Sequence, residues 1–295
     1  MIRRQRAWNQ SWLGYMFVLP AVVWFAVFLA YPLIRNVYIS FFKWNGLTAD
    51  IVWVGLKNYV WAFTNPNVLN ASWNTLVFGV VTITLQLGCG FLLAVSLVGP
   101  GRTRQILRVL YFIPVVLTPT VVGFLFSQIL EVNDGELVNF LKAVGLGQLA
   151  HPWLGDPKTA LLMVCLVNAW IWTGFSMAIY QSAITSVPKD VIEAARIDGA
   201  NSRQVVFRIL LPFLRPTHWS LLILSVIGVL KTFDIPYVLT RGGPGGASDL
   251  LTTLLFRTGF EEYEQGRAAM LGTLLFVVAL TLTIIQLRAS GRDKI

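Results

Sequence analysis

Six runs of mostly apolar residues, each long enough to cross a bilayer, recur along this chain and leave it few folds to choose from. They cover about 14–34, 73–98, 109–130, 159–180, 218–239 and 268–287. A spanning helix needs ~20 such residues to cover ~30 Å of hydrocarbon. In lipid every backbone N–H and C=O must be satisfied within the segment, and the strict alternation of a barrel strand is absent, so the runs read as helices. The expected fold class is an all-α membrane protein with six transmembrane helices, forming one domain over residues 1–295. Composition agrees, because only 13% of the residues are charged and 56% are hydrophobic. Soluble domains carry roughly 25% charged residues, and no water-soluble fold of this length buries so much apolar surface.

The first run lacks a small-residue cleavage site, so it reads as a retained helix and not a removed signal. Cys89 and Cys165 both fall within apolar runs, where a thiol is a small, inert hydrophobe and forms neither a disulfide framework nor a metal knuckle.

Basic residues set the orientation. The N-terminal tail, the loop after the second run, the loop after the fourth and the C-terminal tail hold 14 Lys and Arg against four acids. The other side holds eight basic residues and nine acids. The positive-inside rule therefore predicts both termini and the 181–217 loop in the cytoplasm. The net charge of +9 is then a matter of topology and lipid headgroups, not of nucleic-acid binding. The stretch 35–72, with Trp44, Trp53 and Trp61, is expected to lie partly at the membrane surface, where tryptophan favours the headgroup level.

Several chemistries are missing. The chain has no G-x-x-x-x-G-K-[ST] phosphate loop, and Gly145-Leu146-Gly147 lacks the strand-to-helix context of a dinucleotide site. His151 and His218 are predicted on opposite sides of the membrane, so they cannot share a metal. No nucleophile–base arrangement stands out, so no catalytic residue, metal or cofactor is expected in this chain. Uphill transport would need energy from a partner.

The 181–217 loop carries the clearest local signals. Pro188 suits a first helical turn, and Asp190 and Glu193 complement its positive end. Gly199 can end that helix in the left-handed conformation, and Ser202 can cap a second one running towards Pro212. Ala194, Ala195 and Ala200 leave a slim surface around the turn, suited to a groove on another protein or to the headgroup layer.

Only two charges fall within the six runs, Lys231 and Asp234. A charge near the bilayer centre costs ~2.5–3.5 kcal/mol on insertion scales, so it is normally buried in protein or faces water. Spaced i, i+3 on one helix, the two would share a face and pair. Pro236 would leave the carbonyl of Thr232 free. Charge, hydroxyl and carbonyl would then gather as a place for sugar hydroxyls or anionic groups, or else as a structural ion pair. Asn168, Trp170 and Trp172 in the fourth run pose the same choice, and Gln86 and Gln128 suit either interhelical hydrogen bonds or the lining of a pathway.

Glu193-Ala194-Ala195, Gly199 and then Ile209-Leu210-Leu211-Pro212 resemble the EAA loop of binding-protein-dependent importer permeases. Tyr31-Pro32, Asn74-Thr75, Tyr111-Phe112-Ile113-Pro114, Phe233-Asp234 through Leu239-Thr240 and Gly242-Gly243-Pro244 are similar to sugar permeases of the maltose and glycerol-phosphate type. The resemblance covers roughly 12–290 and departs at Lys231 and Arg241, where that family usually has neutral or small residues. It implies that the loop over 186–212 is a coupling helix between the fourth and fifth spans, with Glu193, Ala194, Ala195, Asp198 and Gly199 touching an ATPase subunit. It also implies a solute pathway at Asn168, Trp172, Lys231, Thr232 and Asp234. The implied partners are a second homologous permease, two ATPase subunits that bind ATP and magnesium, an extracytoplasmic solute-binding protein and the bilayer of the bacterial cytoplasmic membrane. Composition and topology by themselves also admit an ion-coupled secondary transporter or a channel. A membrane enzyme is disfavoured by the lack of a catalytic constellation.

Overall fold

The computed structural model describes residues 3–291, and about three quarters of them are helical. Four helices are each long and apolar enough to cross a membrane: Gly14–Ile39, Pro66–Ser96, Ala160–Thr185 and Gln265–Ala289. Two bent pairs, Arg102–Val116 with Pro119–Ile129 and Ser202–Phe213 with Arg215–Lys231, bring the number to six if each pair is one span. Contacts group the chain into two units, one drawing on the sequence up to Phe63 and on Leu255–Leu274, the other on Thr64–Leu254 and the sequence from Leu275.

In the first unit, α1 (Arg3–Phe25) passes through a single wide turn, Ala26–Ala30, into α2 (Tyr31–Ile39). Pro32 lacks the N–H that would continue the regular ladder and crowds the preceding turn. The extra residue of a π-type turn relieves this, and the N–H of Tyr31 donates to the Ala26 carbonyl. A two-stranded hairpin follows, β1 (Phe42–Lys43) against β2 (Val52–Trp53), with Phe42 opposite Trp53. In α3 (Lys57–Thr64) the buried Asn58 amide donates to the carbonyls of Ser40 and Phe42 at 2.8 and 2.9 Å, which ties this helix to the end of the first span.

The second unit is a helical bundle. Asn65 caps α4 (Pro66–Ser96) by accepting from the N–H of Asn67, with Pro66 pre-set for the first turn. After Gly99-Pro100-Gly101 come α5 (Arg102–Val116), α6 (Pro119–Ile129) and α7 (Glu136–Ala143), then α8 (Ala160–Thr185). Next are α9 (Lys189–Ile197), α10 (Ser202–Gln204), a wide turn Val205–Leu210 and α11 (Leu211–Phe213). Then come α12 (Arg215–Lys231) and α13 (Asp234–Thr240), while α14 (Leu251–Phe256) and α15 (Gln265–Gly291) are each divided between the two units. Phe78, Val164, Ile171, Val229 and Ile235 form one buried cluster, and Phe91, Met177, Tyr180 and Leu221 another.

Two expected spans differ from straight helices. The run over 109–130 turns by 102° between α5 and α6. Pro119 pushes the residue before it out of the helical region, and Thr118 sits at ψ 137. The run over 218–239 is not one helix either, because α12 ends at Lys231 and a new helix starts at Asp234.

Glycine sets the closest approach of α8 to its neighbours. A Cβ at Gly174 would overlap the carbonyl of Tyr111 on α5, and one at Gly90 would lie 2.7 Å from the Cβ of Ser176 on α8. We expect Gly174→Ala to force α5 away from α8 at a cost of about 1–3 kcal/mol, the usual range for overpacking. A lowered thermal unfolding midpoint in detergent is the readout, and an unchanged midpoint would refute the close approach.

The loop before α8 is held by Asp156, whose carboxylate accepts from the N–H of Lys158 at 2.9 Å and lies 2.7 Å from His151 Nε2. The Lys158 N–H, followed by His151, holds this carboxyl below its ordinary value. A depressed carboxylate contributes above its ordinary pKa and loses that contribution as pH falls through its lowered value. Trp153, 6.4 Å from His151 by ring centroids, is expected to change its fluorescence as pH falls through that lowered carboxylate value. Asp156→Asn is expected to remove that acid transition.

Candidate functional site

One recess in the second unit unites several of the polar residues that the spans contain. It has a volume of about 240 Å³ and is lined by Gln86 of α4, Asn168 and Trp172 of α8, Ser225 and Gly228 of α12, and Thr232 just past the end of α12. Gln86 is buried, and its amide donates to the hydroxyls of Ser176 at 3.0 Å and Ser225 at 3.2 Å, so a single side chain binds three helices together. In an apolar bundle such a group has no water to fall back on, which favours its pairing across helices. Asn168 differs. It is 3% exposed, and its amide has no hydrogen-bond partner among the described residues. Its side chain lines the recess, and its amide is not among the fully buried polar atoms left without a partner, so the amide opens onto that space. Trp172 sets an aromatic face beside it.

Lys231 and Asp234 lie next to this recess in sequence but do not line it. Both are exposed, and they form no ion pair with each other. The pairing expected from i, i+3 spacing fails because Thr232 (ψ 120) and Phe233 break the helix between them. Asp234 opens α13, and the hydroxyl of Thr120 on α6 reaches its Oδ1 at 3.5 Å. The carbonyl of Thr232 is not free either, since Thr252 donates its hydroxyl to it at 2.6 Å. Pro236 falls in the first turn of α13, where its missing N–H costs nothing.

A second polar cluster, which residue types had not assembled, fixes the Gly242–Gly246 turn. Asn74 on α4 donates to the carbonyls of Gly246 and Asp249, both at 3.1 Å, and Thr75 accepts from the N–H of Leu251 at 3.0 Å. Asp249 is buried and accepts from Thr253. Asn74-Thr75 and the glycine-rich turn are thus two halves of one bracket. The spacing of Asp249 and Thr253, four residues apart at the start of an apolar run, was the one available sign of it.

The 186–212 segment forms a helical hairpin. Helix α9 ends in a Schellman turn, with the N–H of Gly199 on the Arg196 carbonyl at 3.0 Å and that of Ala200 on Ala195 at 2.9 Å. Gly199 has φ +84. The second arm is capped by Asn201 and not by Ser202, in a capping box with Gln204. The wide turn Val205–Leu210 ends just before Pro212, with the N–H of Leu211 on Val206, so the ladder loosens ahead of a residue that has no N–H to give. Val187, Val205 and Leu210 make a small core of their own, with Ile192 and Ala200 against it. Outward-facing residues include Glu193, Ala194, Asp198 and Gly199, while Ala195 is half-buried. Ile197 is 86% exposed at the tip.

Among the described residues no group of three or more His, Cys, Asp or Glu is placed to hold a metal. His218 is instead bonded through Nδ1 to the Tyr180 hydroxyl at 2.7 Å.

Comparison with known proteins supplies the context. Residues 86–291 match the family described as "Binding-protein-dependent transport system inner membrane component". A probable ABC transporter permease protein of Bacillus subtilis, YurN, is 34% identical over 96% of this chain and 98% of its own. The arabinooligosaccharides transport system permease AraP of the same organism is 33% identical, over 95% of this chain and 89% of its own. A chain from the crystal structure of a bacterial ABC transporter involved in the import of the acidic polysaccharide alginate superposes with a TM-score of 0.86 at 25% identity, covering 99% of this chain and all of that one.

Proposed function

The chain belongs to the family of binding-protein-dependent transport system inner membrane components, and from that premise we propose that it is one permease of an ATP-driven importer for a carbohydrate or a solute like one. A second, homologous permease completes the pathway, and an external solute-binding protein delivers the cargo. Both termini and the 189–211 hairpin lie in the cytoplasm, where Glu193, Ala194, Ala195, Asp198 and Gly199 meet one of two ATPase subunits. ATP and magnesium are held by those subunits. The chain itself makes and breaks no bonds. Its work is to turn their closing motion into a change in which side of the membrane the pathway faces.

The amide of Asn168, opening onto the recess beside the ring of Trp172, supports the solute reading. An amide bonds sugar hydroxyls, and an indole face packs on the apolar C–H side of a pyranose. Thr232 adds a hydroxyl at the far wall, and Lys231 and Asp234 extend the polar path where α12 gives way to α13. The sugar transported by AraP, named above, supports the same class.

The assembled complex in proteoliposomes tests this reading. Labelled oligosaccharide is expected to accumulate only with ATP and the ATPase subunits present. Asn168→Ala is expected to lower uptake about fivefold, the worth of a hydrogen bond of about 1 kcal/mol, with basal hydrolysis unchanged. Uptake driven by an ion gradient with the ATPase subunits omitted would overturn the assignment.

A further inference from the structure

We propose that a basic recess in the first unit holds the phosphate of an anionic phospholipid headgroup. The recess has a volume of about 260 Å³, and its walls include Lys43, Trp44, Lys57, Tyr263, Glu264 and Arg267. Three cations therefore face one acid. Glu264 is already paired with Arg267, and the Arg267 guanidinium also lies 4.6 Å from the centre of the Trp61 ring. Lys43 and Lys57 have no ion pair among the described residues. Their two charges are left over for something that enters from outside.

The depth of the recess selects the ligand. One span ends at Ile39, just before Lys43 on β1, and another begins at Gln265, between Glu264 and Arg267. The two ends are locked together. Asn36 donates to the Ala269 carbonyl at 3.0 Å and to the Thr273 hydroxyl at 3.2 Å, and Gly266 lies so close to the Phe42 carbonyl that no side chain fits between them. The recess thus sits where two apolar spans give way to polar chain, the level at which hydrocarbon meets headgroups.

The surround is apolar in the wrong direction for water. Helix α3 buries Asn58 and Ala62. Leu56, just before its first residue and with its carbonyl accepting from the N–H of Val60, faces outward together with Val60 and Phe63. These three fall at i, i+4 and i+7, a single stripe, and are 63%, 60% and 65% exposed. Trp53 on the hairpin is exposed as well. An anionic lipid accounts for all three features at once, with phosphate between Lys43 and Lys57, glycerol beside Trp44 and Tyr263, and acyl chains along the apolar stripe. The orientation proposed above puts this recess on the external side, so the lipid comes from the outer leaflet, drawn by the same attraction between basic groups and anionic headgroups. Tyr263 adds a fourth sign, for it is held at φ +55, a left-handed conformation in which a bulky residue is rare and which clusters at ligand sites.

This inference depends on the chain's place in a membrane and not on its solute or its coupling partner. Native mass spectrometry of the assembled importer tests it, with phosphatidylglycerol and phosphatidylcholine offered in equal amounts. The wild type is expected to retain phosphatidylglycerol. Lys43→Gln with Lys57→Gln is expected to weaken that retention about thirtyfold, from roughly fivefold for each basic group at an anionic surface. The unfolding midpoint and ATP-driven uptake should persist, which separates this outcome from a failure of the transport reading. Inorganic phosphate alone should not displace the lipid. Equal retention by the double variant overturns the proposal. Displacement by inorganic phosphate overturns it in favour of a free-anion site. Unchanged lipid retention with weakened docking of the solute-binding protein overturns it in favour of an acidic protein partner.

Discussion

Replacing Gly199 by aspartate is expected to abolish ATP-coupled uptake while the protein still inserts and folds. Two effects have to be separated. Gly199 sits at φ +84, where a side chain costs roughly 1–2 kcal/mol, and aspartate is among the residues that tolerate this region best. A Cβ there meets no atom of the chain within 4 Å, so the new side chain enters open space and the hairpin keeps its Schellman turn and its small core. The damage then falls on whatever the hairpin enters. A carboxylate driven unpaired into a protein interface costs on the order of 3 kcal/mol or more, which is more than a hundredfold in docking. Hydrolysis should continue without uptake. Gly199→Asn, which fits the same backbone and carries no charge, is expected to lie between aspartate and wild type. Full uptake by the aspartate variant would remove the docking role of the hairpin.

How much of this was legible in the sequence depends on the range of the signal. Apolar length is read residue by residue, so the six runs emerged without any knowledge of packing. The 186–212 hairpin was legible for the same reason, since a proline at its start, a glycine at its turn and a cap at its second arm act over four residues. The one slip there, Ser202 for Asn201, is a choice between adjacent capping residues that only the reciprocal bond to Gln204 decides. Breaks inside apolar runs were harder. Pro119 and the Thr232–Phe233 break lie in stretches whose hydropathy alone continues smoothly, and hydropathy carries no backbone direction. Thr232 needed a partner, Thr252, twenty residues away to be seen as bonded. The recess around Asn168 was half legible. Its residue types were visible on two runs, but its third wall required knowing that Gln86 reaches Ser176 and Ser225 at once. Asp249 and Asn74 were invisible as a pair because their meeting joins the turn after Gly246 to a helix about 175 residues away in sequence.

Lys231→Ala is expected to lower transport about tenfold and leave stability unchanged, and the broken helix explains why. Had Lys231 and Asp234 shared a helical face as a buried pair, removing the lysine would strand a carboxylate in a low-dielectric interior, at about 3–5 kcal/mol. The chain instead stops its helix at Lys231 and restarts it at Asp234, leaves both side chains exposed and gives Asp234 the hydroxyl of Thr120. No charge is orphaned by the substitution, so the unfolding midpoint should move by no more than a surface change allows, about 0.5 kcal/mol. An ammonium held in hydrocarbon without a counter-charge is nevertheless costly, on the order of 2.5–3.5 kcal/mol, so its persistence requires water or a partner surface beside it. The proposed pathway supplies both, as the path along which solute passes and the face that the second permease covers. Transport per folded molecule is therefore the quantity to measure, with Lys231→Arg retaining most of it because the charge remains. A fall in the amount of folded protein, with transport per molecule intact, would return Lys231 to a structural role.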